Sequence, residues 1–194
     1  MTYLFDIGNV LLAFDFQPAL QSLMGPNADP DALTKIIEKK DAFEAGQLST
    51  EDYLKFVGPL LDYSGTDQHF YDTWNSIFTP VSATKKLAQE LKDQGHRLIL
   101  FSNINPIHAK NLDNYPIFKI FDAAVFSHEI QAIKPQPEFF TRAIEQFDII
   151  PEETVYIDDM PENIAAGIAH GFQSFCYDYN NHDALLTWLN DKTS

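Results

Sequence analysis

The chain has 194 residues, with 13 basic side chains against 28 acidic ones and a formal net charge of −15 at pH 7. That length holds one full hydrophobic core with an insertion and excludes two ordinary domains, while the charge repels nucleic acid and anionic membrane surfaces. With 45% hydrophobic and 21% charged residues and no apolar run near the roughly 18 residues a membrane span needs, the composition is that of a soluble globular protein.

Cys176 is the single cysteine, so an internal disulfide is excluded and a cysteine-based zinc site is not expected. It is expected as a small buried residue in an apolar run. The chain opens as a strand with no basic leader, which makes the cytoplasm the expected compartment. A phosphorylated small molecule needs a local cation to enter so acidic a protein, either a metal, a positioned lysine, or both.

The opening stretch, Tyr3-Leu4-Phe5-Asp6-Ile7-Gly8-Asn9-Val10, is apolar, then abruptly acidic and flexible, then apolar again. This is the pattern of a buried strand ending in a functional turn. Residues 15–80 change character. Apolar residues at helical spacing predict helices over 17–24, 31–43 and 49–57, and Ser49 followed by Asp52 resembles a helix-start box. Phe70, Trp74 and Ile77 predict one more amphipathic helix, and no strand is expected within the region. Phe43, Tyr53, Phe56, Phe70 and Trp74 are expected mainly as core, with one or two at a substrate entrance.

From Val81 strands and helices alternate. Leu87, Ala88 and Leu91 line a helix that Gly95 ends, and strands are predicted over 97–101, 123–126, 154–157 and 172–177. Helices are predicted after Pro137, over 163–170 and over 184–189. Such alternation predicts an α/β fold: a Rossmann-like parallel sheet with helices on both faces. The organisation expected is an α/β core of residues 1–14 and 81–194, with a small all-helical cap, 15–80, inserted after the first strand.

The chemistry sits in the residues just after each strand. The first strand ends in Asp6, the second in Ser102-Asn103, the fourth in Asp158-Asp159, and Lys134 lies between the last two. In a parallel sheet these ends share one edge, where open α/β sheets bind ligands. Three carboxylates at one edge raise one another's pKa unless a cation joins them, and Mg2+ suits such oxygen ligands together with a substrate phosphate. Asp6 is then placed to attack phosphorus while metal and Lys134 neutralise the phosphoryl oxygens. In isolation, Ser102-Asn103 also reads as the cap of a helix starting near Pro106.

The set Phe5-Asp6-Ile7-Gly8-Asn9-Val10, Phe101-Ser102-Asn103, Lys134-Pro135 and Tyr156-Ile157-Asp158-Asp159 resembles, in order, the four motifs of the haloacid dehalogenase-like (HAD) hydrolases. It is most similar to their bacterial α-D-glucose-1-phosphate phosphatase branch. The resemblance implies a Mg2+-dependent phosphatase acting on a small phosphorylated metabolite, such as a sugar 1-phosphate, through an aspartyl-phosphate. It implies Asp6 as nucleophile and metal ligand, Ser102 and Asn103 as phosphoryl-binding residues, and Lys134 as the orienting cation. Gly8 would offer a carbonyl to the metal. Asp159 aligns with the direct metal ligand and Asp158 with its support, or the reverse, and Asn163 with the metal's outer surroundings.

One departure stands out. Most phosphatases of the superfamily place a general acid and base where this chain has Gly8. His108, Asp15 or Glu44 are the candidate replacements, and the weakly basic anomeric oxygen of a sugar 1-phosphate needs such help least. The rival readings are a haloacid dehalogenase and a catalytically degraded scaffold that binds a partner.

Overall fold

A computed structural model describes residues 1–193. Its centre is a five-stranded sheet of β1 (Thr2–Phe5), β4 (Arg97–Ser102), β5 (Ala123–Phe126), β6 (Thr154–Asp158) and β7 (Gln173–Cys176), in the order β5-β4-β1-β6-β7. Every pairing is parallel. Successive side chains of a strand point to opposite faces, and here both faces are apolar. Tyr3, Phe5, Leu98, Leu100, Val155 and Ile157 belong to one buried cluster, and Leu4, Ile99, Phe101, Val125 and Tyr156 to another. The first cluster is completed by helices α5 (Ser82–Asp93) and α10 (His182–Thr193), the second by α8 (Pro137–Gln146) and α9 (Pro161–Ala169). The α/β class expected from the sequence is what the structure has, and none of the described helices is long and apolar enough to cross a membrane.

Between the first two sheet strands lie α1 (Gln17–Leu23), α2 (Ala32–Glu44), α3 (Thr50–Leu60) and α4 (Asp67–Asn75). They share a third cluster, in which Phe43, Tyr53, Phe70 and Trp74 are buried as the amphipathic spacing predicted and Phe56 packs at the margin. The Phe43 and Tyr53 rings stack at 4.0 Å. Ser49 caps α3, its hydroxyl accepting from the Asp52 N–H at 3.1 Å.

Three expectations are corrected. Ile77 is buried but lies beyond the end of α4. The region is not free of strands: β3 (Phe78–Pro80) pairs antiparallel with β2 (Leu12–Phe14), joining the segments that enter and leave the helical insertion. Three-residue strands, one ending in proline, have no periodicity to read. Cys176 is exposed, because it ends β7, an edge strand with a neighbour on one side alone.

The insertion is seated on the core where α2 ends. Gly46 adopts φ +68°, and a Cβ there would lie 2.3 Å from the His128 carbonyl oxygen, so the site needs glycine on both counts. His128 belongs to α7 (Ser127–Ile130), whose Ser127 hydroxyl donates to the Glu44 carbonyl at 2.5 Å and accepts from the Ile104 N–H at 2.9 Å. This bridge fixes Glu44 above the loop that succeeds β4.

Candidate active site

β1 lies between β4 and β6, so Asp6, Ser102 and Asp158 emerge side by side at one edge of the sheet. The Asp6 N–H donates to the Ile157 carbonyl at 2.9 Å, which extends the ladder one residue and fixes the carboxylate. A tight turn comes next, with the Ile7 carbonyl accepting from Leu11 and Leu12 at 3.0 and 2.9 Å. Asn9 takes the left-handed conformation, φ +51°, which asparagine tolerates better than most side chains. Its amide donates to Asp159 Oδ2 at 3.0 Å.

Lys134 is the hub. Its side chain is 1% exposed, and Nζ donates to Asp6 Oδ1 at 2.8 Å, Asp158 Oδ2 at 2.6 Å and the Phe101 carbonyl at 2.7 Å. Asn103 clamps the Lys134 main chain from both sides, accepting from its N–H at 2.8 Å and donating to its carbonyl at 2.9 Å. The Asn103 side-chain amide is thereby spent on positioning Lys134. Asp158 is fully buried and accepts, besides Lys134, the Tyr156 hydroxyl, the Met160 N–H at 2.9 Å and the Asn163 amide at 3.0 Å.

These contacts separate the acids electrostatically. Burial, with repulsion from Asp158 added, raises Asp6 to about 7 against the pull of Lys134 and the Ser102 hydroxyl. Burial would raise Asp158 too, but Lys134, Tyr156 and Met160 outweigh it and hold that carboxyl below its ordinary value. Asp159 is raised by burial, opposed by its bond from Asn9. One oxygen from each of Asp6, Asp158 and Asp159 lies within 4.8 Å of the others. An all-oxygen set bearing this much negative charge fits a hard divalent cation such as Mg2+. Asp158 is the most committed of the three to protein donors.

A cavity of about 530 Å3 opens over these groups, floored by Asp6, Ser102, Lys134 and Asp159 and walled from the insertion by Phe16, Lys40, Asp41 and Glu44. Of the candidate replacements for a proton donor, Asp15 does not line it; its carboxylate accepts from the Gln17 N–H at 2.9 Å, at the start of α1. Glu44 does line it, paired to Lys40 at 2.8 Å, and burial raises its pKa. His108 lines it with both ring nitrogens occupied: Nε2 donates to the Trp74 carbonyl at 3.2 Å and Nδ1 accepts from the Asn105 amide at 3.1 Å. Burial lowers His108 to about 4. The cap of helix α6 (Pro106–Asn111) is Asn105, not Ser102 or Asn103.

Gly8 is lined up beside the nucleophile candidate, where an added Cβ would sit 3.6 Å from Asp6 Oδ2 and 3.1 Å from the Phe14 ring. Three site residues, Asn9, Tyr156 and Ser127, had no role assigned from sequence. The first two stood inside recognisable motifs, but their hydrogen bonds depend on the folded neighbourhood.

The family model of the haloacid dehalogenase-like hydrolases matches residues 1–171. The chain is 27% identical to a D-ribitol-5-phosphate phosphatase of Bacteroides thetaiotaomicron over 88% of each chain. It is 23% identical to the pyrophosphatase PpaX of Bacillus mycoides, over 86% of this chain and 78% of that one. Among solved structures, a HAD family enzyme of Bacteroides thetaiotaomicron in complex with magnesium and inorganic phosphate superposes with a TM-score of 0.74. It is 22% identical, with 90% of this chain and 92% of that one covered, a likeness of fold.

Proposed function

The chain belongs to the haloacid dehalogenase-like hydrolases, and from that premise we propose that it is a Mg2+-dependent phosphatase of small phosphomonoesters, acting through an aspartyl-phosphate on Asp6. The observation that carries this reading is the single Lys134 ammonium bonded at once to Asp6 Oδ1 and Asp158 Oδ2, beside a third carboxylate. It is an arrangement that steadies a nucleophile. The names of the curated relatives, a ribitol-phosphate phosphatase and a pyrophosphatase, support a small phosphorylated substrate.

Asp6, Asp159 and the Gly8 carbonyl would hold Mg2+, with Asp158 and Asn163 bracing the site. When bound, the ion neutralises phosphoryl charge and lets neighbouring carboxylates remain ionised together. The Asp6 carboxylate forms a bond to phosphorus as the bond to the leaving oxygen breaks, and that oxygen departs with the electron pair. Lys134, bonded to Asp6 and Asp158 at once, holds Asp6 in line. The Ser102 hydroxyl contributes to binding the phosphoryl oxygens. Asn103 serves through its clamp on Lys134. Water then attacks phosphorus, the bond to Asp6 breaks, inorganic phosphate leaves, and the carboxylate is restored.

With glycine at position 8, the leaving oxygen receives no proton from that turn. His108 is a poor substitute, being neutral and bonded at both nitrogens. The reading therefore favours esters whose leaving oxygen is weakly basic: sugar 1-phosphates, to which the sequence resemblance points, and aryl phosphates. The insertion, residues 15–80, acts as a cap over the core of 1–14 and 81–194.

Phosphate release from p-nitrophenyl phosphate, with Mg2+ and with EDTA, tests this. Activity should require the metal, and Asp6→Asn should lower it by roughly 10⁴-fold or more. Activity that survives in Asp6→Asn overturns the assignment.

A further inference from the structure

A second cavity, of about 210 Å3, lies inside the helical insertion. Its walls are mainly apolar, with Phe16, Ile36, Phe43, Tyr53 and Trp74 among them and Lys40, Glu44 and Asn105 as the charged or amide members. It shares Phe16, Lys40 and Glu44 with the cavity over Asp6, so the two spaces meet along those three side chains. Lys40 and Glu44 lie one helical turn apart on α2 and form an ion pair at 2.8 Å. They mark the boundary between a charged compartment and an oily one.

Two further features single out this cavity. Trp74 is 5% exposed, yet its indole Nε1 has no hydrogen-bond acceptor among the described residues. A buried donor left unpaired is costly. Leu33 and Ile37, also on the cavity wall, are large apolar side chains left 43% and 56% exposed. Apolar surface thus continues from the rim inward. An apolar cavity of about 150 Å3 suffices to bind benzene, so this one accommodates an aromatic ring or a short branched chain.

We propose that this cavity is the leaving-group subsite of the phosphatase, selecting phosphomonoesters whose alcohol carries an apolar or aromatic body. The proposal rests on the phosphatase reading and narrows it. Of the two classes with weakly basic leaving oxygens, it favours aryl-type esters over bare sugar 1-phosphates, whose many hydroxyl groups would lose water against Phe16, Leu20, Ile36 and Phe43. The phosphoryl group lies over Asp6 and Lys134, the ester oxygen passes the Lys40–Glu44 pair, and the apolar body enters the insertion.

The test compares 1-naphthyl phosphate with acetyl phosphate, whose two-carbon leaving group is too short to fill the second cavity. In the wild-type protein KM should be lower for the naphthyl ester than for acetyl phosphate. Ile37→Asp, a change at an exposed rim position that the fold tolerates, should lower the naphthyl-to-acetyl ratio of kcat/KM about tenfold or more, chiefly through KM. As a second readout without mutation, 1-naphthol should compete with 1-naphthyl phosphate and be weakened by the same substitution. An unchanged ratio in Ile37→Asp, or 1-naphthol that fails to compete, overturns the subsite. Hydrolysis of neither ester by the wild-type protein with Mg2+ present instead overturns the phosphatase reading, so the two failures are distinguishable.

Discussion

The floor and the roof of the cavity over Asp6 are built on opposite terms. On the floor the bonding capacity is spent: Lys134 Nζ serves three acceptors and Asp158 accepts from four donors, all from the protein itself. On the roof it is held back, with Trp74 Nε1 unpartnered among the described residues, an apolar space beside it, and large hydrophobic side chains exposed at the rim. A saturated network fixes its members in one geometry, which suits the steps common to every phosphate ester. Unfilled capacity leaves room for the part of a substrate that varies. Under the proposed function, reaction and selection would fall to separate elements, the sheet edge and the inserted helices.

The comparison breaks most readily at Lys134. Lys134→Ala leaves Asp6 and Asp158 buried without their cation, and unpaired buried charge costs about 3–5 kcal/mol. Urea denaturation without divalent cations should register a loss of that size. A loss below about 1 kcal/mol would show that the floor is not held together by this ammonium.

The roof is tied to the floor through His108, which bonds the end of α4 to the cap of α6. Its folded pKa, about 4, lies below its ordinary 6.5 because of burial. Between those values the unfolded chain takes up a proton that the folded protein refuses. Stability is therefore fully present above pH 6.5 and declines as pH falls toward 4, by about 3 kcal/mol in total. Asp6, with its raised value, contributes in the opposite sense below pH 7, so the measurement is a difference. Stability from about pH 7 to 4 should fall more steeply in the wild-type protein than in His108→Gln. Parallel profiles would mean that the histidine is not held neutral.

A smaller effect sharpens the division of labour. Gly8→Asp restores a carboxyl beside the nucleophile, displacing the Phe14 ring, which is 41% exposed and has room to move. Turnover of a sugar 6-phosphate should rise relative to a sugar 1-phosphate by roughly 10²-fold, the lower range for general acid catalysis. Equal changes on both would show that the leaving group does not limit the reaction.

How legible each residue was in the sequence depends on how far its role reaches beyond its own element. β1, β4 and β6 are continuous apolar runs because both faces of the sheet are covered, and an acid or hydroxyl directly after such a run is visible without a structure. Asp6, Ser102, Asp158 and Asp159 are therefore nameable from sequence, Lys134 only by its place between strands and its motif, and the structure brings all five to one edge. The use of Asn103 as a clamp, the double occupation of the His108 ring and the bridge from Ser127 to Glu44 each join residues from different elements. No periodicity records them. The short β2 and β3 carried too few residues to signal a strand, and the exposure of Cys176 depended on which strand lay at the edge. The apolar cavity was hidden for a related reason: aromatic residues at helical spacing read the same whether they fill a core completely or leave a space within it.

If the saturated floor does the chemistry, Asp6 is the nucleophile. Acid quenching of the protein during turnover of a phosphate ester, with mass measurement of the peptide containing Asp6, tests it most directly. The account predicts a phosphoryl adduct on Asp6 that forms within the first turnover, is removed by hydroxylamine and is absent from Asp6→Asn. Phosphate release at the full rate with no adduct on that peptide would contradict it.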